Sequence, residues 1–111
     1  MPYKTPTLLR KSAYITQHGL CCYCGKQMWL KDVEAFAKAH NYSLPQARLL
    51  QCTAEHLHAL TDGGDNSPGN VAAACHYCNL KRHQRKRPLP PEQYRKHVLK
   101  RVKRRGWHCL N

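Results

Sequence analysis

Four cysteines fall into two pairs, Cys21-x-x-Cys24 and Cys75-x-x-Cys78. Two thiolates at this spacing converge on one ion when the backbone between them turns tightly, and Gly25 after the first pair permits such a turn. Two pairs close one tetrahedral four-sulfur zinc site. With no position left open for water, that site is structural and not catalytic. The other cysteines, Cys22, Cys52 and Cys109, are spare by spacing. Cys52 reads as a small buried residue, and His76, between two ligands, reads as exposed.

A second group of residues could act on a phosphodiester. Glu55 and His56 are adjacent. A carboxylate is a hard oxygen ligand for a divalent cation, and a neutral imidazole can take a proton from water. Neighbours on a strand point to opposite faces, so both reach one site only where the strand bends or twists. Alone, the pair is equally an ordinary half-buried polar pair. His58 repeats the alternation and would share a face with His56. Further on, Asn79 and His83 lie four apart on an expected helix, on one face, where an amide oxygen and an imidazole could bind one cation. Lys81 and Arg82 beside them could hold phosphates. The alternative for this face is plain solvation.

The chain that must position these residues is short. At 111 residues it is one small domain, 1–111, with 41% hydrophobic residues, a count that includes all seven cysteines. A core this small usually needs a staple. Seven cysteines cannot all pair as disulfides within one chain, so metal ligation and a reducing, cytoplasmic setting are favoured. No targeting segment and no stretch of transmembrane length is visible.

The formal net charge is +13. Beyond Cys78 the basic residues crowd together, among them Lys81, Arg82, Arg85, Lys86 and Arg87, and Glu92 alone opposes them. Such a stripe suits a nucleic-acid backbone, DNA before RNA. An anionic membrane surface fits poorly, because Tyr94, Val98, Leu99 and Val102 make only a narrow apolar face.

Periodicity and turn residues predict the elements. Residues 8–17 suit a short helix that Gly19 breaks. Residues 31–40 suit a helix capped by Asp32. Residues 41–45 read as a turn, with a second short helix or a plain connection through Gln46 and Ala47. Residues 49–57 are the best strand. Residues 61–70 are dense in turn formers. Val71–Cys75 is apolar but too short to assign as strand or helix start. A helix runs from Cys78 to about Lys86, where Pro88, Pro90 and Pro91 end it. A last basic helix fills about 91–106, and Trp107, Cys109 and Leu110 form an apolar tail that folds back.

Taken in order, Cys21-x-Tyr23-Cys24-Gly25, Glu55-His56, Gly63-Gly64, Asn70 and Cys75-x-x-Cys78-Asn79-x-x-Arg82-His83 resemble the zinc-containing branch of the HNH endonucleases. The likeness covers about residues 18–87. It implies an α+β fold built on a ββα-metal core, with a structural four-cysteine zinc site and flanking helices. By that resemblance His56 is the general base. Glu55 and Asn79, with His83 as in some members, bind a catalytic divalent ion (Mg2+, or Mn2+, Co2+ or Ni2+). Asn70 braces the loop and orients the histidine. Lys81, Arg82, Arg85, Lys86 and Arg87 contact DNA. Glu55 stands where aspartate or histidine is more frequent in the family. The insertion at 29–48 is longer than in minimal members, and the C-terminal helix lies outside the motif. One such site nicks; cutting both strands calls for a homodimer or two successive nicks, and sequence choice for a partner protein. The bacterial or phage-type setting follows from the resemblance alone. The competing class is a non-enzymatic zinc module that binds nucleic acid.

Overall fold

Val71–Cys75, ambiguous by pattern, is a strand. In the computed structural model, which describes residues 6–59, 63–108 and 110, it forms β2 and pairs antiparallel with β1, Cys52–His56. The register runs from Cys52 opposite Cys75 to His56 opposite Val71. Three helices precede this hairpin: α1 (Pro6–Thr16), α2 (Val33–His40) and α3 (Leu44–Leu49). Two follow it: α4 (His76–His83) and α5 (Pro91–Lys103). The architecture is α+β, with a two-stranded sheet that carries a four-cysteine cluster at one end. No helix among the described residues is long and apolar enough to cross a membrane.

The helix boundaries follow local chemistry. Asp32 caps α2, its Oδ1 accepting from Ala35 N at 3.0 Å. The residues expected to be a turn before Gln46 instead start α3: Ser43 and Gln46 form a reciprocal capping box, with Pro45 in the first turn. Helix α4 begins two residues before Cys78, because the Cys75 sulfur accepts from Cys78 N and serves as its N-cap. It ends at His83, short of Lys86. Strand β1 ends at His56, so His58 lies beyond it and shares no strand face with it. Pro2, Thr61, Asp62 and Cys109 lie outside the described residues.

The first cysteine pair is laid on the hairpin by main-chain bonds. Cys52 N donates to Trp29 O at 2.9 Å and Cys22 N to Ala73 O at 3.0 Å. Gln17 completes the exposed edge of β2. Its side-chain amide accepts from Ala73 N at 2.9 Å and donates to Ala73 O at 2.9 Å, as a third strand would. Ala73 is fully buried, so these groups have no water to fall back on. Helix α5 closes the other side with Tyr94 and Val98, both buried. The Tyr94 hydroxyl donates to Cys78 O at 2.7 Å, and its ring packs edge-on to Tyr23 at 4.8 Å. The last helix is thus anchored on the second cysteine pair.

Replacing Gln17 by Ala strands the Ala73 amide. We expect a loss of about 1–3 kcal/mol in urea unfolding at unchanged m-value. A change under a few tenths would show that α1 repairs the edge in some other way.

Candidate metal centre and polar site

The four paired cysteines converge as their spacing predicts. The sulfurs of Cys21, Cys24, Cys75 and Cys78 lie within 4.8 Å of one another, and all four residues are buried. Cys24 and Cys75 are 3.9 Å apart. A zinc ion with Zn–S bonds of about 2.3 Å needs tetrahedral edges of about 3.8 Å, so the cage is of the right size. N–H groups already face the sulfurs: Tyr23 N and Cys75 N on Cys21 at 3.4 and 3.2 Å, and the Trp107 indole on Cys78 at 3.2 Å. Donors of this kind stabilise bound thiolates.

Charge is shared unequally among the thiols themselves. Hydrogen bonds from Cys22, then Cys24, hold Cys21 far below the ordinary thiol range. Contact with Cys21 pushes Cys75 and Cys78 well above it. Four sulfurs this close cannot all ionise without a cation between them, and a dication removes the conflict. Size, burial and donor set all fit a structural metal ion such as zinc. Cys22 stands half-buried beside the cage, Cys52 is fully buried on β1, and His76 is exposed.

At the far end of β1 the polar residues separate into three small constellations. Glu55 faces inward and is 1% exposed. Its Oε1 lies 2.8 Å from His83 Nε2 and its Oε2 3.4 Å from Arg82 Nη1. Oε2 has no hydrogen-bond partner of good geometry. The His83 side chain is 35% exposed, so the carboxylate meets solvent through that imidazole and a cleft of ≈ 270 Å3 beside it.

Arg82 does not project toward solvent as expected. It is 4% exposed and is spent on the protein's own main chain, donating to Leu89 O at 3.2 and 3.1 Å and to Leu57 O at 3.2 Å. It ties β1, α4 and the proline-rich connection together while neutralising Glu55. The sequence gives one cue to this: Arg82 is three residues after Asn79, on the inner side of α4. Lys81, Arg85, Lys86 and Arg87 are exposed, as a phosphate-binding role requires.

His56 belongs to a second constellation. Its Nε2 lies 2.7 Å from Asn66 Oδ1. A carbonyl oxygen only accepts, so in the neutral ring Nε2 carries the proton and Nδ1 keeps the lone pair. Asn66 was not singled out by sequence reasoning, which gave the orienting role to Asn70. Asn70 braces the loop. Its amide bonds both main-chain groups of His58, at 2.7 and 2.9 Å, and reaches Asp65 O at 2.8 Å. Two asparagines in one turn-rich loop were the available signal. Elsewhere in the loop, Ser67 holds the Asp65 carboxyl below the usual carboxylate range through its hydroxyl and its amide. Gly64 is required because a Cβ there would collide with the His58 carbonyl.

Asn79 forms the third constellation. Its Nδ2 donates to Thr53 Oγ1 at 3.0 Å and to Ala54 O at 3.3 Å. The Thr53 hydroxyl proton is committed to Ala74 O at 2.7 Å, which fixes the amide orientation. Asn79 therefore clamps α4 to β1, and the α4 residues that meet the Glu55 carboxylate are Arg82 and His83.

Comparison with family models, with curated proteins and with solved structures finds no match for this chain.

Two outcomes are expected. Purified protein binds one zinc per chain by elemental analysis, and Cys24→Ser loses the metal and the cooperative thermal transition together; a metal-free variant with an unchanged transition would mean the cluster packs without an ion. Arg82→Leu leaves the buried Glu55 carboxylate with a half-exposed imidazole alone, at an expected cost of roughly 3–5 kcal/mol in denaturant unfolding.

Proposed function

We propose that this protein is a metal-dependent endonuclease of the HNH type, hydrolysing DNA phosphodiester bonds. The observation that carries the reading is the end of β1. There a buried carboxylate touches a helix imidazole, and the next residue along the chain carries a second imidazole that meets the Asn66 side-chain oxygen. The strand–strand–helix order supports the ββα-metal assignment, with β1, β2 and α4 following one another along the chain.

In this reading His56 is the general base. Asn66 fixes its tautomer, so Nδ1 is the atom that accepts a proton from the attacking water. Glu55 and His83 are the pair that would hold a divalent ion, with Oε2 of Glu55 accepting no hydrogen bond and facing Arg82 at 3.4 Å. Such an ion supplies charge stabilisation at the scissile phosphate and the leaving oxygen. The other members of the notional set contribute differently. Asn79 orients α4 from its clamp on Thr53, and Asn70 keeps the loop closed so that Asn66 faces His56. Arg82 pairs with Glu55 and holds it in place. Lys81, Arg85, Lys86 and Arg87 would meet the DNA backbone, which provides affinity without sequence choice.

The test is supercoiled plasmid incubated with and without Mg2+ or Mn2+, beside a His56→Ala variant that retains zinc. The parent should nick only with added ion, and the variant should fall by about 10²-fold or more. If both proteins shift the plasmid on a gel and neither cuts, the chain is a non-enzymatic zinc module. If the variant cuts as well as the parent, His56 is not the base.

A further inference from the structure

A groove of ≈ 890 Å3 lies between α1, the segment 27–31 and α2. Its wall is aromatic, with Tyr14, Trp29 and Phe36 all half-buried. Its rim is cationic, with Arg10, Lys11 and Lys31. The acid on the rim, Asp32, is occupied in capping Ala35 N. Arg10 shows what is missing. Its Nη1 reaches Cys52 O only at 3.5 Å, and its Nε is buried with no hydrogen-bond partner. Among the described residues the ion pairs all converge on Glu55, so none neutralises Arg10.

We infer that this groove binds a single strand of DNA, with bases against Tyr14, Trp29 and Phe36 and phosphates on Arg10, Lys11 and Lys31. Ring faces beneath a cationic rim are what an unpaired strand needs, since every base has a π face and every linkage a charge. A duplex buries its base faces and gains only the rim. A neutral apolar ligand would leave the Arg10 donor unanswered. The groove also adjoins the chemistry: Arg10 touches the Cys52 end of β1, and His56 stands at the other end, four residues or roughly 13 Å away. A strand opened near His56 can therefore be held at the groove. The choice of DNA rests on the proposed nuclease function; the binding of a single strand does not.

The experiment compares a short fluorescein-labelled thymidine oligomer with a blunt duplex of equal length by anisotropy, using zinc-loaded full-length protein. Phe36→Leu, which keeps an apolar side chain but removes the ring face, should weaken the single strand about tenfold and leave the duplex within twofold, and Lys11→Glu with Lys31→Glu should weaken the single strand more than the duplex, which meets the rim alone. Arg95→Glu with Lys96→Glu on α5, an equal change of charge, should weaken both by the same factor. All variants are compared at matched thermal midpoints. Equal loss of strand and duplex in the groove variants, or no loss, overturns the inference. So does displacement of the oligomer by an acidic peptide at lower concentration. Tighter binding of a uridine oligomer overturns the assignment to DNA. Plasmid cutting is scored separately: a protein that binds the thymidine oligomer through the groove but never nicks refutes the nuclease reading and leaves this site standing.

Discussion

Four sulfur atoms drawn to one point are the constraint on which the fold depends. Among the described residues, seven of the twelve members of the core cluster are cysteine or alanine. Side chains that small bury little apolar area, at about 25 cal/mol per Å2. Domains of this size have a net stability of about 5–15 kcal/mol, whereas a structural zinc ion contributes about 10–16 kcal/mol at neutral pH. The balance therefore falls to the metal. The ion would join the loop after α1 to the junction of β2 and α4, so the segments flanking the hairpin become one body when it binds.

The same hairpin carries the polar site, and its cost is met locally. A carboxylate as buried as Glu55 is tolerable only when paired and bonded. Arg82 and His83, neighbours on α4, supply the partners from two directions. Arg82 is fully buried and fixed by carbonyls, whereas His83 is one-third open. One neighbour thus serves the fold and the other faces the cleft. Small residues at Ala72 and Ala74, on the sheet face shared with Thr53 and Glu55, let α4 approach closely enough for both contacts, and the Asn79 clamp sets its angle.

Much of this was legible in the sequence, for identifiable reasons. Cysteine spacing is a rigid geometric signal, and the cage formed where it pointed. The helices over 6–16, 33–40 and 91–103 followed from periodicity and breakers, and their ends shifted by only a few residues. Val71–Cys75 could not be assigned because five small apolar residues carry no period; pairing with β1 decided it. Arg82 was misplaced because residue type argued for solvent, while the burial of Glu55 demanded a cation. The part of Asn66 was invisible, since both asparagines sit among turn formers and only the closed loop shows which amide meets His56. The groove was also missed. Tyr14, Trp29 and Phe36 come from three separate segments, and the region around 29–48 was read only as an insertion longer than in minimal members of the family it resembles.

The chain has two tryptophans, and the fold places them on different matters. The Trp107 indole N–H points at the Cys78 sulfur, so its emission sits one atom from the metal cage. Trp29 lines the groove, with its own N–H turned away to Ala47 O at 2.7 Å. The protein therefore holds two built-in optical probes, one for the state of its sulfurs and one for the contents of its groove, separable by replacing either ring with phenylalanine.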